Sequence, residues 1–418
     1  MSDVMVKKAA VVGAGISGLY ACLLLEQHGF SVDLHERSDS IGGRMKTEKQ
    51  SGFILDHGFH VLQTGYPLAS KVLDYQAMGC LAFEPGALII RPDGKRSKIW
   101  QFTDPFRRPI KGVLGAFSLF TSPLNLLRVG LLRIKLARTK DSDLFQKESQ
   151  TTLDYLQSKG FSQSFIERFF TPLFGGIFLE TELRTDSRMF DFVFKNMSRG
   201  SMVLPKNGIA ACPQQIFDSL TKTALRLNSN ISIIDETKLT NGDEVLQYDL
   251  VVKAFASDKS NLTRGVWTLH FAAPKSPLKG KYIMLNSTLK SARNLISHLA
   301  VPSDIQPNYA PSNQSLVTVT VVEEDAKKQG LSTKEAVKDS VIKELLQWFP
   351  DQVQNWRVLD VQYIEAALPE LSGADFDDFS KASDDYSCGD STYHGSVEGA
   401  LLSAQRVIDN FLKKGAQG

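Results

Sequence analysis

Residues 7–37 read KKAAVVGAGISGLYACLLLEQHGFSVDLHER, and the way this stretch is read decides both fold and compartment. Two lysines before an uncharged run from Ala9 to Leu25 have the outline of a secretory signal. Gly13, Gly15 and Gly18 interrupt that run, however, and each glycine in a helical centre costs about 1 kcal/mol relative to alanine. Glu26, Gln27, His28 and Gly29 then stand where a cleavage motif would be needed. The other reading accounts for every glycine. Residues 9–12 suit a strand buried on both faces, and Gly13-Ala14-Gly15-Ile16-Ser17-Gly18 follows at once as G-x-G-x-x-G, with a helix expected over 17–28. The first glycine permits a tight turn, the second admits a pyrophosphate to the backbone N–H groups, and the third lets the helix pack on the strand. The phosphates then lie at the positive end of that helix. Gly29 stops the helix, residues 31–35 form a second strand, and Glu36 at its end is placed to accept hydrogen bonds from a ribose diol. A carboxylate there repels a 2′-phosphate, so the expected ligand is FAD or NAD rather than NADP.

The bulk properties agree with a large globular enzyme-sized chain. At 418 residues, two domains are the default expectation. With 42% hydrophobic and 22% charged residues, the chain has the means to bury a sizeable core. A net charge of +2 and the lack of any zinc-finger or aromatic-basic signature argue against nucleic acid as a partner. The four cysteines form no C-x-x-C pair, which suggests neither a disulfide framework nor a zinc site and fits a reducing compartment; all four are expected to be buried small hydrophobes. His57 and His60 with Asp56 invite a metal reading, but no further ligands are placed by the sequence, and no metal is expected. No G-x-S-x-G elbow is present, which argues against a hydrolase.

Three further stretches carry the argument beyond a generic dinucleotide site. They are ERSDSIGGRMKT (36–47), FILDHGFHVLQTGYP (53–67) and YSCGDSTYHGSVEGALLSAQRVIDNFL (386–412). Together with the opening glycines they closely resemble the flavin-dependent amine oxidase, phytoene desaturase and protoporphyrinogen oxidase superfamily. The resemblance implies that Glu36-Arg37 lies at the ribose, and that Gly42, Gly43 and Arg44 lie near pyrophosphate and flavin. It further implies that Gly58, Phe59 and His60 run along the flavin, that Gly389-Asp390 meets the ribityl chain, and that Ser396 and Val397 open a helix aimed at the flavin. Such a helix N-terminus favours the negative charge that a reduced flavin gathers on its pyrimidine ring. An NAD-dependent dehydrogenase would not need the 389–397 motif, so the expected cofactor is FAD.

Motifs so far apart imply an α/β fold with a discontinuous Rossmann-like FAD-binding domain (1–74, 203–263 and 363–418) and an inserted α+β substrate-binding domain (75–202 and 264–362). LPKNGIAACPQQIFDSL (204–220) resembles the superfamily's P-x-G-G turn and helix, and Ala254-Phe255-Ala256 is a loose match to its A-T or A-x pair. Residues 231–235 and 248–257 are expected to be strands returning to the FAD domain, 315–325 a strand, 333–349 an amphipathic helix capped by Thr333, and 375–385 a solvated acidic loop. Residues 105–140 hold eight Lys or Arg and no acid, with Ser122-Pro123 opening a helix. Apolar residues around most of that helix suggest burial, and peripheral contact with anionic lipid is the second reading. FFTPLFGGIFL (169–179) suits either core or an apolar substrate tunnel.

The expected activity is FAD-dependent dehydrogenation or desaturation of a small apolar organic molecule, by hydride transfer to flavin N5, in the cytoplasm or peripherally at a membrane surface. No catalytic acid or base is identified in the sequence. By resemblance, amine oxidases carry a cage aromatic where this chain has Ser396, which argues against an amine. The alternatives are an amine oxidase, an NAD-dependent dehydrogenase, and a protein in which FAD only holds the fold.

Overall fold

The computed structural model describes residues 7–93, 96–103, 122–256, 263–290, 294–371, 373–378 and 386–417. The strand Lys8–Val12 buries Ala9, Ala10, Val11 and Val12. It lies inside a four-stranded parallel sheet ordered Thr223–Arg226, Ser31–His35, Lys8–Val12, Leu250–Lys253. The helix Ile16–Gln27 packs on this sheet and on the C-terminal helix Val397–Gln417.

Two expectations about strands are corrected here. Residues 250–253 do return to the parallel sheet, but Ser232–Asp235 does not; it belongs to a mostly exposed antiparallel ribbon with Lys238–Thr240 and Val245–Gln247. Its expected place is taken by Thr223–Arg226. The cause is the buried Glu26, whose carboxylate accepts from Thr221 N, Lys222 N and Thr223 Oγ1 and so draws this segment to the edge beside Ser31–His35. The strand expected over 315–325 ends at Val322, because Glu323, Glu324 and Asp325 form the first turn of a short helix, where acidic side chains are favoured.

A second sheet has seven strands, ordered Arg357–Pro369, Thr263–Ala273, Ser315–Val322, Ile296–Ala300, Ile283–Asn286, Gly86–Asp93, Arg96–Thr103. All pairings are antiparallel except Ile283–Asn286 with Gly86–Asp93. Period-two alternation sets its two faces apart. Trp267, Leu269, Phe271, Val317, Val319 and Val321 face the helix Lys334–Trp348, which is capped by Thr333 as expected and contributes Val337, Val341, Leu345 and Trp348. Thr268, His270, Thr318 and Thr320 occupy the opposite face. Beyond it lies a phenylalanine-rich helical layer in which Phe170, Phe174, Phe178 and Phe190 pack edge-on or tilted.

The helix Pro123–Arg138 begins as expected, with Ser122 Oγ accepting from Asn125 N, but it is not a core helix. Leu132 and Leu136 are buried, whereas Leu124, Leu127, Leu131 and Ile134 are 44–60% exposed along the other side. Arg107, Arg108 and Lys111 of the same basic stretch lie outside the described residues. The acidic stretch is also not wholly loop: Gly373–Asp378 is helical and Phe376 is buried beside Phe145, while 379–385 lie outside the described residues. Cys22, Cys212 and Cys388 are buried, Cys80 is half-buried, and all four are free thiols.

Candidate FAD site and adjoining pocket

The glycine turn stands at the C-terminal end of the parallel sheet. Gly13 has φ +109°, and a side chain there would meet Ala254 O at 2.6 Å. Gly18 lies so close to Gly13 O that a Cβ would overlap it. Gly15 differs, because nothing lies within 4 Å of the position a Cβ would take. The helix Ile16–Gln27 that starts there has no side-chain cap and no acid in its first turn, so no side chain of its own serves its first N–H groups. An uncapped helix end over a cradle of this kind fits a pyrophosphate.

Glu36 is buried and holds the turn itself. Its Oε2 accepts from Ala14 N at 2.8 Å, and its Oε1 accepts from Ser38 N and Ser38 Oγ at 2.9 Å. Arg37 is exposed. Gly42 N donates to Ala14 O at 2.8 Å and Gly43 packs on Gly15, so the second motif lies directly against the first. The C-terminal motif joins them through the backbone: Cys388 N donates to Lys253 O at 2.8 Å, which carries Gly389 and Asp390 to the same end of the sheet. Arg44 Nη2 then pairs with Asp390 Oδ1 at 2.5 Å, and Arg44 Nη1 donates to Ala367 O at 2.8 Å.

Ser396 caps the C-terminal helix, its Oγ accepting from Gly399 N and meeting His394 Nδ1, both at 3.0 Å. Val397 is half-buried against the core of the parallel-sheet half. The Gly58–Phe59–His60 loop is tied to the larger sheet, with Gly58 N donating to Gln362 Oε1 at 2.9 Å and the Phe59 ring 5.3 Å from that of His298. His60 Nε2 lies 2.9 Å from His57 O, and burial pushes its pKa down to about 4. Asp56 serves the architecture of the site, accepting from Thr47 Oγ1, Ile209 N and Tyr309 Oη at 2.6–2.8 Å and so fixing the loop against the turn at 208–210. Among the described residues, no group of three or more His, Cys, Asp or Glu side chains could hold a metal ion.

Several residues of this region are not singled out by sequence reasoning. Glu398 accepts from Leu68 N and Ala69 N at 2.8 and 2.7 Å. His394 is fully buried between Phe145 and Phe192, and burial drives its pKa down to about 3. Their only signal is position inside the 386–412 stretch. A pocket opens on the polar side of the larger sheet, lined by Phe83, Ala87, Phe102, Val129, Phe169, Leu173, Phe194, Met197, Met202 and Ile283, with Glu84 and Arg133 at its wall. In the 169–179 stretch Phe170, Phe174 and Phe178 are core, and the buried Phe169 and Leu173 also line this pocket.

A Rossmann-like sheet with three motifs at its C-terminal end, joined to a second sheet bearing an apolar pocket, defines an FAD-dependent oxidoreductase. The chain belongs to the flavin containing amine oxidoreductase family, whose model matches residues 16–263 and 263–409. Among curated relatives, protoporphyrinogen oxidase 2 of Arabidopsis thaliana is 37% identical over 68 residues, which are 16% of this chain and 13% of that one. The hydroxysqualene dehydroxylase of Rhodopseudomonas palustris is 41% identical over 63 residues, 15% of each chain. These matches span less than a sixth of the relatives' length. Among solved structures, an oxidoreductase from Methanosarcina mazei superposes with TM-score 0.73 at 18% identity, covering 96% of this chain and 100% of its own. Putrescine oxidase bound to putrescine gives 0.69 at 14%, covering 97% and 99%. Both likenesses concern the fold.

Proposed function

We propose that the chain holds FAD across the C-terminal end of the parallel sheet and dehydrogenates or desaturates a small, largely apolar molecule bound in the adjoining pocket. The 13–18 turn would take the pyrophosphate, Glu36 the ribose, and Gly42, Gly43, Arg44, the 58–60 loop, Gly389, Asp390, Ser396 and Val397 the flavin half. On this reading the FAD-binding part comprises 1–74, 203–263 and 363–418 and the substrate part 75–202 and 264–362, with the strand Arg357–Pro369 running through the junction at 362. Bound FAD would supply the acceptor for the electron pair leaving a substrate C–H bond. The protein's own contribution is to exclude water and orient the substrate. The observation that carries the apolar substrate is the pocket wall, where aromatic and aliphatic side chains dominate and Arg133 and Glu84 are the ionisable groups.

The test is the visible spectrum of the purified protein, before and after heat release of cofactor, followed by anaerobic addition of apolar and amine donors. Stoichiometric flavin bands bleached by an apolar donor support the reading. A colourless protein that binds NAD overturns it, and bleaching by amines alone moves the substrate class.

Membrane contact is a second reading, carried by the exposed Leu124, Leu127, Leu131 and Ile134 with exposed Lys135, Arg138 and Lys140 alongside. An apolar stripe edged with cations fits the surface of an anionic bilayer, and Val129 and Arg133 of the same helix line the pocket. Among the described residues no helix is long and apolar enough to cross a membrane. Sedimentation with anionic vesicles, lost on Leu127→Gln with Leu131→Gln, is the expected result; sedimentation unchanged by these substitutions counts against it.

A further inference from the structure

The register of the seven-stranded sheet sets Gln362, Thr268, Thr320 and His298 side by side: Thr268 lies opposite both Gln362 and Thr320, and Thr320 opposite His298. Directly paired side chains share a face and stand about 5 Å apart. All four are more than nine-tenths buried. Gln362 is engaged by Gly58 N. The other three are not: Thr268 Oγ1, Thr320 Oγ1 and both ring nitrogens of His298 have no hydrogen-bond partner among the described residues. Two residues along the strands, a comparable polar pair is satisfied, with His270 Nδ1 3.1 Å from Thr318 Oγ1 and His270 Nε2 3.2 Å from Asp56 O.

The Phe59 ring lies 5.3 Å from that of His298, and the helix Thr171–Phe178 presses on the same end of the strip. Gly176 has to be glycine here, because a Cβ would overlap the imidazole. Burial pushes the His298 pKa down to about 4, so the ring is neutral at pH 7, one nitrogen donating and the other accepting. Buried polar groups in native proteins nearly always have partners, and three adjacent ones without any point to a bound group. Neutral hydroxyls and a neutral imidazole in apolar surroundings do not suit an ion, whose desolvation they could not offset. An uncharged oxygen, able to donate or accept, matches all of them.

We propose that Thr268, Thr320 and His298 form a buried hydrogen-bonding subsite for neutral oxygen functions, filled by water in the resting protein and open to a hydroxyl or carbonyl oxygen of a substrate. The subsite stands on register and burial and does not depend on the FAD reading, so the failure of either leaves the other testable. The experiment is a crystal structure of the holoprotein showing ordered water, with and without 1-octanol as a hydroxyl probe, together with melting of the Thr268→Val, Thr320→Val double variant. Valine keeps the shape and deletes the hydroxyl. A water-filled strip shows density within hydrogen-bond distance of at least two of the three side chains, and the double variant melts about 2 °C lower. A double Thr→Ser variant keeps both hydroxyls and should keep the ordered density, while the loss of two buried methyl groups lowers its melting point on its own account. A strip without density, or a valine variant that melts at or above the wild type, overturns the proposal. With 1-octanol, an alcohol oxygen replacing water supports the substrate role, and retained water overturns that half.

Discussion

Arg44 and Asp390, 346 positions apart in the chain, form an ion pair at the mouth of the glycine cradle. Arg44 is 43% exposed at its side chain and Asp390 14%, so the pair is worth little to stability on its own, about 0–1 kcal/mol. Its interest is that it closes the second and third motifs onto each other. Arg44→Ala and Asp390→Ala are each expected to loosen FAD about tenfold while leaving the melting temperature of the apoprotein nearly unchanged; the flavin-to-protein absorbance ratio on dilution measures the first and calorimetry the second.

The glycine turn separates stability from ligand binding by position. Gly18→Ala puts a methyl group into Gly13 O and should destabilise by about 2 kcal/mol, lowering both melting temperature and flavin content. Gly15→Ala meets nothing within 4 Å and should change stability by no more than about 0.5 kcal/mol while still stripping flavin, because the methyl occupies the cradle. Equal stability losses for the two would count against the cradle.

Asp56 is a buried acceptor for three donors, and burial raises its pKa despite them. Asp56→Ala leaves Ile209 N and the Tyr309 hydroxyl without their partner, and a loss of about 3 kcal/mol in denaturant unfolding is expected. Asp56→Asn, which keeps one accepting oxygen, should lose less.

Acid should unfold the protein in a defined window. Burial pushes His60, His270 and His298 from 6.5 down to about 4 and His394 to about 3. These folded values lie below the unfolded one, so between pH 6.5 and about 4 the unfolded chain binds more protons and stability falls as pH falls. Above pH 6.5 the contribution is fully present. Each histidine replaced, as in His298→Phe, should reduce the slope by up to one proton, about 1.4 kcal/mol per pH unit, in pH-dependent denaturant titrations. An unchanged slope would show that histidine already charged in the fold.

The parallel sheet is legible in the sequence because its signals are local. The glycines, Glu36 and the strand at 31–35 each follow from a turn or a period within a few residues. Pattern reading misplaces the edge strand because Thr223–Arg226 is held there by Glu26, almost 200 positions away, and nothing in residues 223–226 announces that bond. The composition of the helix Pro123–Arg138 suggests a core helix, yet apolar residues around a helix do not say which side the rest of the chain covers. Legibility is also limited at the candidate site. Motif residues can be named in advance, whereas His298, Thr268 and Thr320 come together only through strand register, which pattern reading does not supply.

The backbone bridge from Lys253 to Ser387 and Cys388 also has a bearing on biosynthesis. The segment that brings Gly389 and Asp390 to the cradle is synthesised after the glycine turn and all four strands of the parallel sheet. A ribosome-bound nascent chain can therefore form the 13–18 turn early, but Gly389 and Asp390 do not join the cradle until residues 386–397 have left the exit tunnel. On the proposed FAD assignment loading is a late event, and a nascent chain halted before residue 386 should emerge folded in part and colourless.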